Sequence, residues 1–338
     1  MRFFDHKWPA LLLWPFSQVY VAAIALRNFF YDVGLLQSHI INSYLISVGN
    51  ITVGGTGKTP TVHYLARSFL SLNKRVAIIS RGYGRQSKGT VVVSDGQRIL
   101  ASVHEAGDEP LLLAQACSGA IVIVDSNRVR AAQLAVDRFK PDIILLDDAF
   151  QHRRIHRDFD LVTLRRLAPF GNGFCLPAGP LRESRKNLSR AHAILFNGPE
   201  GMKEDVPDIH KRPVFYAHYV PQYLVNKKGK RVPLDLAQKR IYAFCGLANP
   251  HAFRMTLAKL GVNFAGFAAY KDHYYYQKSD IENIYTSYER SAAEIIVTTE
   301  KDWVKLPLEL LDEHWYRLHI EIKPVEEENF LSLFEIVK

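Results

Sequence analysis

The chain has 338 residues, of which 48% are hydrophobic and 23% are charged, and its formal net charge is +9. This length suits two domains, and the excess of basic side chains predicts an anionic partner such as nucleic acid, an acidic membrane surface or a phosphorylated substrate. The cysteines Cys117, Cys175 and Cys245 lie far apart and form no CxxC pair. We therefore expect neither a disulfide scaffold nor a zinc knuckle, and a reducing cytoplasm is the expected compartment.

The N-terminal segment from Trp8 to Leu36 is rich in apolar and aromatic residues. Pro15, Ser17 and Gln18 interrupt its apolar run, so we expect neither a membrane span nor a signal peptide. Its aromatic and basic side chains suit a helix that lies in the lipid headgroup region. They are Lys7, Trp8, Trp14, Tyr20, Arg27, Phe29, Phe30 and Tyr31. We predict an amphipathic, membrane-associating helix within residues 1–40; the alternative is an ordinary helix packed in the core.

Short apolar runs alternate with amphipathic helical patterns from Tyr44 to about Asn197. The runs read "YLISV", "RVAIIS", "AIVIVD", "DIILLDD", "FDLVTL" and "HAILFN". Near-continuous apolar strands that alternate with helices are typical of a parallel sheet covered by helices on both faces. We assign residues 41–212 to this α/β domain.

The pattern of residue types changes after this domain. Prolines punctuate the sequence at Pro207, Pro213, Pro221 and Pro233, and "NKKGKR" forms a charged turn. These signals predict an extended linker over residues 213–234. Strand and helix patterns then resume, which predicts a second, smaller α/β domain over residues 235–338. Its last strand, "WYRLHIEIKP", is expected to return to the linker.

The stretch "SVGNITVGGTGKTP" lies between the first apolar run and a helical pattern predicted to begin at Pro60. Gly57-Lys58-Thr59 matches the end of the phosphate-binding loop G-x-x-x-x-G-K-[ST], whereas Thr52 stands at the first glycine position. We interpret the backbone N–H groups from Val53 onward as a cradle for the β- and γ-phosphates of a nucleotide, with Lys58 on the γ-phosphoryl group and the Thr59 hydroxyl on Mg²⁺. The fold class is therefore a P-loop NTPase-like sheet. The alternative is a glycine-rich turn without a ligand.

Two acids follow the buried run Ile143 to Leu146. Asp147 and Asp148 at the carboxyl end of a buried strand are costly unless they face a cation. Gln151 and His152 follow within reach of the same crevice. The alternative is that one of the two acids caps a turn.

Two further residues are candidates for moving a proton. Asp108 precedes Glu109, Pro110 and an apolar helix, so it is either a helix N-cap or a carboxylate near the acceptor hydroxyl. His273 lies among aromatic residues in "YKDHYYYQKSD", where it is either structural or orients a carboxylate. Neither residue decides the question alone.

Seven stretches together resemble one family, the tetraacyldisaccharide 4'-kinases, or lipid A 4'-kinases, of Gram-negative bacteria. They are "VGNITVGGTGKTP", "SRGYGR", "AGDEP", "DDAFQH", "GNGFCLPAGPLRE", "KDHYYY" and "TTEKDWVKL". They span about Val48 to Leu306 in the order of the family, and Thr52 at the first glycine position is also a family feature. "KDHYYY" departs from the commoner pair of consecutive histidines, which leaves His273 as the candidate histidine.

The resemblance implies a lipid kinase with ATP and Mg²⁺ as cofactors. It would transfer the γ-phosphate to the 4'-hydroxyl of tetraacyldisaccharide 1-phosphate to form lipid IVA. The enzyme would be peripheral at the cytoplasmic face of the inner membrane, on anionic lipid, with two domains that close together.

The resemblance also implies site residues. Those for ATP are Thr52, Val53, Gly54, Gly55, Thr56, Gly57, Lys58 and Thr59. Those at the Mg²⁺ site are Thr59, Asp147, Asp148, Glu109 and Gln151. The catalytic residues are Asp108 as the base, His273 as its partner, and Lys58. Those near phosphates or the acceptor are Tyr83, Arg128, His152 and Arg182.

Two other functions fit parts of the sequence. A P-loop ATPase or GTPase switch on a protein partner is one, but a GTPase needs [NT]KxD for guanine, whereas Lys301 and Asp302 are adjacent in "TTEKDW". A nucleic-acid binder is the other, but the basic residues are scattered and no RNA or DNA motif occurs. We therefore expect no nucleic-acid partner and no obligate protein partner.

Overall fold

The computed structural model describes residues 7–198, 212–237 and 239–334. Residues 1–6, Pro207 and the last four residues, which entered the predicted domains, lie outside this part of the chain. The helices are α1 (Lys7–Asp32), α2 (Lys58–Ser71), α3 (Val103–Ala106), α4 (Asp108–Ala116), α5 (Arg128–Phe139), α6 (Pro250–Lys259), α7 (Lys278–Arg290), α8 (Glu300–Trp303) and α9 (Glu327–Leu331). The strands are β1 (Tyr44–Gly49), β2 (Val76–Ser80), β3 (Val91–Asp95), β4 (Ile121–Val124), β5 (Ile143–Asp147), β6 (Phe159–Arg165), β7 (Ala193–Asn197), β8 (Val214–Asn226), β9 (Arg231–Val232), β10 (Arg240–Cys245), β11 (Asn263–Ala269), β12 (Ile295–Thr299) and β13 (Trp315–Pro324).

These strands form one continuous sheet in the order β11-β10-β12-β13-β8-β7-β6-β1-β5-β2-β4-β3, with β9 beside β8. The strands from β8 through β4 pair in parallel. Their apolar side chains alternate between two cores: Ile78 and Leu145 face α2, whereas Ile79 and Leu146 face α5. Both faces of the parallel sheet are therefore buried, and the predicted α/β fold is confirmed.

The second half of the sheet repeats this arrangement. β11, β10, β12 and β13 pair in parallel. α6 covers one face with Phe253 and Leu257, and α7 covers the other with Ile281 and Ile284. A second α/β unit therefore extends the same sheet.

The segment predicted as a linker contains β8, which joins the two halves of the sheet. β8 runs parallel to β7 and antiparallel to β13, so β13 returns along residues 217–226. Pro221 lies at a register shift opposite Ile320, where a missing backbone N–H is tolerated. The division into residues 41–212, 213–234 and 235–338 stays a prediction.

α1 lies on the first half of the sheet with one side only. Ser17 Oγ donates to the Cys175 carbonyl at 2.8 Å, and Tyr20 OH donates to the Arg182 carbonyl at 2.7 Å. The other side carries exposed apolar side chains, which are Leu11, Leu12, Trp14, Phe16, Val19, Leu26 and Phe29. By length and composition Ala10–Asp32 could cross a membrane, with a mean hydropathy of 1.4 and 11% of its most apolar window buried. The predicted apolar helix is present, and it is not a core helix; the side chains of Lys7 and Trp8 lie outside the described residues.

Candidate active site

The phosphate loop lies at the carboxyl end of β1, between β5 and β6. Ligands of open α/β sheets bind in the crevice outside the carboxyl ends of the strands. Gly57 is the N-cap of α2 and has a left-handed backbone with φ 88°. The helix begins at Lys58, two residues before the predicted start, because Pro60 fits inside a first turn whose N–H groups have no partner within the helix.

Buried polar side chains form hydrogen bonds with Thr56 and so fix the loop in place. Asn197 Nδ2 donates to the Thr56 carbonyl at 2.7 Å. The Thr56 hydroxyl lies 2.8 Å from that of Thr163 and accepts from Asn50 Nδ2 at 3.0 Å. A Cβ atom on Gly57 would collide with Asn197 and would lie 2.5 Å from the Tyr219 hydroxyl, so only glycine fits here. The loop is therefore a rigid, open cradle of the kind that binds phosphates.

The start of the loop is tied to the segment "GPLRE". The Val53 N–H donates to the Pro180 carbonyl at 2.8 Å, and the Arg182 N–H donates to the Ile51 carbonyl at 2.8 Å. The expectation that the Val53 N–H holds a phosphate is corrected, because that group already has a partner. The N–H groups of residues 54–59 remain the candidates.

Asp147 is the last residue of β5 and is buried. Ser80 Oγ donates to its Oδ2 at 3.1 Å, whereas its Oδ1 has no hydrogen-bond partner among the described residues. Burial, with the charges of Glu109 and Asp148, raises the pKa of Asp147 to about 7. A divalent cation would supply a partner for this buried carboxylate oxygen.

Asp148 has a different environment from its neighbour. Arg182 Nη1 donates to both of its oxygens, at 2.8 and 3.0 Å, and Lys58 Nζ lies 3.8 Å from Oδ1. Burial by itself would raise the pKa of Asp148, but the charges of Lys58 and Arg182 hold it below its ordinary value. Asp148 is therefore ionised and links the loop lysine to the "GPLRE" segment.

Two other residues expected near the metal, Gln151 and Glu109, contact other groups of the protein. Gln151 Nε2 donates to the Asn50 carbonyl and to Glu183 Oε1, both at 2.7 Å, and Glu109 Oε1 lies 3.4 Å from Lys301 Nζ. Over residues 7–198, 212–237 and 239–334, no group of three His, Cys, Asp or Glu side chains forms a metal site. Mg²⁺ suits such a place, because it takes one or two protein carboxylates and completes its shell with phosphate oxygens and water. The unpartnered Asp147 oxygen and the glycine cradle therefore fit magnesium with a triphosphate.

Asp108 is the first residue of α4, and Gly107 occupies the N-cap position. The N-cap alternative for Asp108 is therefore wrong. Its Oδ1 accepts from the Glu109 N–H at 2.9 Å, and its Oδ2 lies 2.8 Å from His273 Nδ1. Burial would raise the pKa of Asp108, but the hydrogen bond from His273 and the charge of Lys301 hold it below its ordinary value. Asp108 is thus a buried carboxylate that stays ionised.

His273 completes this pair from the second half of the sheet. The hydrogen bond to Asp108 raises the pKa of His273, while burial and the charge of Lys301 oppose that change. Lys301 Nζ lies 3.2 Å from His273 Nε2. Because an ammonium group only donates, these partners assign the imidazole proton to Nδ1 and leave Nε2 as the acceptor.

The four residues expected near phosphates or the acceptor lie around the same crevice. Tyr83 is exposed, and its ring centroid lies 5.1 Å from that of His273. Arg128 is buried; burial lowers its pKa, which the charges of Asp147 and Asp148 oppose.

His152 and Arg182 differ from these two. Burial and neighbouring arginines lower the pKa of His152 to about 4, so its ring is neutral at physiological pH. Arg182 is paired with Asp148 rather than free for a phosphate.

Sequence reasoning missed several residues of this site. Ser80, Lys301 and Lys305 stand within or beside "SRGYGR" and "TTEKDWVKL", and the repetition of polar residues in those stretches was the available signal. Asn197 ends an ordinary apolar strand, and only the fold brings it under the loop.

Comparisons with known proteins identify the family. The family model of the tetraacyldisaccharide-1-P 4'-kinases matches residues 9–337. The tetraacyldisaccharide 4'-kinase of Syntrophus aciditrophicus is 41% identical, over 96% of this chain and 92% of that protein. The corresponding protein of Desulfotalea psychrophila is 40% identical over 87% of each chain.

A solved structure has the same fold. The chain is similar to LpxK from Aquifex aeolicus in complex with ATP, with a TM-score of 0.81 and 35% identity over 96% of this chain and 98% of that one. A shared phosphate loop alone does not produce similarity over the whole chain, so the alternative of a protein-directed ATPase or GTPase switch is set aside. The chain belongs to the tetraacyldisaccharide 4'-kinase family and is an ATP- and Mg²⁺-dependent kinase of lipid A biosynthesis that phosphorylates the disaccharide 4'-hydroxyl.

Proposed function

We propose that Asp108 accepts the proton of the 4'-hydroxyl while residues 54–59 and Asp147 hold the nucleotide and its metal. The observation that carries this proposal is the buried, ionised Asp108 carboxylate, 2.8 Å from His273 and at the same crevice as the loop. A sugar hydroxyl placed there would have an acceptor for its proton beside the site that binds the triphosphate.

The loop residues position the nucleotide. The N–H groups of residues 54–59 would donate to the phosphates, and the Lys58 ammonium would exchange its contact with Asp148 for the γ-phosphoryl oxygens. Thr59 and Asp147 would hold Mg²⁺, with Glu109, Asp148 and Gln151 around it. Bound magnesium would neutralise the charge of the β- and γ-phosphate oxygens.

The reaction moves one phosphoryl group and one proton. The 4'-oxygen forms a bond to the γ-phosphorus, the bond to the β–γ bridging oxygen breaks, and ADP leaves. The hydroxyl proton passes to Asp108, whose orientation His273 fixes through Nδ1. His273 therefore acts through Asp108 rather than on the substrate.

The acceptor side of the crevice is basic and aromatic. We assign Arg128 to the charge of the transferred and acceptor phosphates, Tyr83 to the sugar, and neutral His152 to a hydrogen bond with it. Arg182 would reach a phosphate only by giving up its pair with Asp148. The residue ranges 41–212 and 235–338 contribute Asp108 and His273 respectively, and we propose that they close together on the substrate.

The family is membrane-associated, and we propose that this chain lies on the cytoplasmic face of the inner membrane. The exposed apolar side of α1 suits insertion to the depth of the headgroups, whereas its docked side is held by the protein and cannot face lipid. The net charge of +9 would favour anionic lipid. No nucleic acid and no obligate protein partner enter this proposal.

The test is phosphoryl transfer by Asp108→Asn compared with Asp95→Asn, the last residue of β3, whose carboxylate accepts from the backbone N–H groups of Gln97 and Arg98. We expect Asp108→Asn to lower kcat by about 10²–10⁴-fold with the KM for ATP within about twofold, because the base acts on the acceptor. Asp95→Asn is expected to match the wild type. An unchanged kcat in Asp108→Asn would remove Asp108 as the base.

A further inference from the structure

We propose that Lys305 is a positioning residue for Asp108, and that Asp302 holds Lys305 in that role. The proposal rests on the proposed function, because it takes Asp108 as the group that receives the hydroxyl proton. We expect neither Lys305 nor Asp302 to contact the nucleotide, because both side chains are buried without exposed surface.

Lys305 carries a fully buried charge next to Asp108, the proposed catalytic base. Its Nζ lies 3.8 Å from Asp108 Oδ2 and 3.1 Å from Asp302 Oδ1, and the side chains of Lys305 and Asp302 have no exposed surface. The ammonium makes no aligned hydrogen bond with a described residue, so its contacts with both carboxylates are electrostatic. A buried ammonium is costly unless opposite charges face it, and here two carboxylates do.

Asp302 is itself rigidly held. The Tyr276 hydroxyl donates to its Oδ1 at 3.0 Å, and the Thr299 hydroxyl donates to its Oδ2 at 2.6 Å. Asp302 is thus fixed by the turn that leads from β12 into α8. The position of the Lys305 ammonium is therefore set by the second half of the sheet, as is that of His273.

The contacts around Asp108 distinguish its two oxygens. Oδ2 faces both His273 Nδ1 and the Lys305 ammonium, whereas Oδ1 accepts from the Glu109 N–H. Each carboxylate oxygen has about two acceptor sites. Each oxygen therefore keeps one acceptor site, but Oδ2 also faces the Lys305 ammonium, so we assign Oδ1 as the oxygen that receives the proton. Lys305 and His273 together hold Oδ2 and so aim Oδ1 at the acceptor.

The experiment compares Lys305→Met with the double variant Asp302→Asn/Lys305→Met. Methionine keeps the length of the lysine stem. Asparagine keeps one acceptor oxygen for the Tyr276 hydroxyl and presents an amide donor to the Thr299 hydroxyl oxygen. Removing one member of a buried ion pair destabilises a protein, whereas removing both charges is often tolerated. The control is Lys278→Met, whose side chain is 74% exposed on α7. The readouts are kcat, the KM for ATP and the melting temperature.

We expect Lys305→Met to lower kcat by about 10- to 100-fold with the KM for ATP within about twofold, because a misplaced base loses rate and not nucleotide affinity. The double variant should regain melting temperature without regaining kcat. In an Asp108→Asn background, Lys305→Met should lower kcat by less than about twofold. Lys278→Met should match the wild type.

Three results would overturn the inference: an unchanged kcat in Lys305→Met, recovery of kcat together with stability in the double variant, or an effect of full size in the Asp108→Asn background. The first two leave the base assignment intact if Asp108→Asn is inactive. Full activity of Asp108→Asn itself would instead remove the proposed function, and the inference with it.

Discussion

The imidazole Nδ1 of His273 lies 2.8 Å from Oδ2 of Asp108, although 165 positions separate the two residues in the chain. One residue begins α4 beside the phosphate loop, and the other lies beyond β11 in the second half of the sheet. The acid–histidine pair is therefore a product of tertiary structure, and it forms only where the two halves of the chain meet.

We predict that Asp108 and His273 act as one unit. Asp108→Ala should lower kcat by about 10²–10⁴-fold, and His273→Ala should lower it less, because His273 only orients the carboxylate. The double variant should be about as slow as Asp108→Ala alone. Steady-state transfer of labelled phosphate measures these rates, with exposed His251→Ala as the control. Losses that multiply in the double variant would show that the two residues act independently.

The backbone of Gly57 makes a prediction about the loop before any nucleotide binds. Gly57→Ala places a Cβ atom against Asn197 and 2.5 Å from the Tyr219 hydroxyl, on a residue with φ 88°. A left-handed alanine alone costs about 1–2 kcal/mol. We expect a clearly lower melting temperature without nucleotide.

Gly55→Ala is the matched control for this prediction. A Cβ atom on Gly55 meets nothing within 4 Å, so the nucleotide-free protein should melt as the wild type does. Equal melting temperatures for the two variants would contradict the rigid cradle.

The exposed side of α1 predicts how the protein binds lipid. Leu12 and Val19 are 76% and 70% exposed and lie seven residues apart, on one side of the helix. Leu12→Glu/Val19→Glu should weaken sedimentation with vesicles that contain phosphatidylglycerol by about tenfold or more, because two apolar contacts are lost and two like charges are added. Met255→Glu, at an exposed apolar position on α6, should bind as the wild type does. Equal binding by both variants would exclude α1 as the membrane contact.

His319 predicts a pH dependence of stability. Burial opposes its charged form, but hydrogen bonds with Glu300 and Glu321 raise the pKa of His319 above 6.5. A raised folded-state pKa adds stability that is fully present below the unfolded-state pKa and is lost as pH rises through the folded-state value. His319→Gln should therefore lower the free energy of unfolding more at about pH 5.5 than at about pH 8.5.

The neighbours of His319 supply the control. Tyr223 stacks on its ring, Arg67 pairs with Glu321, and His63 faces it edge-on. Burial lowers the pKa of His63, so the neutral ring must be kept in the folded protein and His63 costs stability as pH falls. His63→Gln should therefore raise the free energy of unfolding relative to the wild type more at about pH 5.5 than at about pH 8.5. Denaturant unfolding at both pH values measures the differences, and a pH-independent effect of His319→Gln would contradict the assigned ion pairs.

Much of the fold could be predicted, because buried parallel strands are continuous apolar runs and the loops between them carry glycine and acidic residues. β3 was missed because its short run, Val91–Asp95, pairs antiparallel at the sheet edge and is not followed by a long helix. The prolines of β8 favour a linker in the sequence. The pairing of β8 with β13 outweighs Pro221, which a local register shift accommodates.

The candidate site likewise contains residues that the sequence could predict and residues that it could not. Lys58 and Asp147 stand in stretches whose spacing indicates their chemistry, whereas the role expected for Asp108 comes from the family resemblance. Spacing does not indicate the roles of Asn197 and Lys305, because a buried amide under a loop and a buried ammonium behind a base depend on strands and helices that are distant in the chain. Their positions follow from tertiary packing, which periodicity does not encode.

The most direct test of the whole account is transfer of γ-labelled phosphate from ATP to tetraacyldisaccharide 1-phosphate by the wild type and by Lys58→Ala, with and without Mg²⁺. Lys228→Ala, an exposed lysine of the β8–β9 turn, is the control. We predict labelled 4'-phosphate for the wild type and the control only with Mg²⁺, and a rate about 10²–10³-fold lower for Lys58→Ala. Transfer that is undiminished in Lys58→Ala, or label that reaches no lipid, would contradict it.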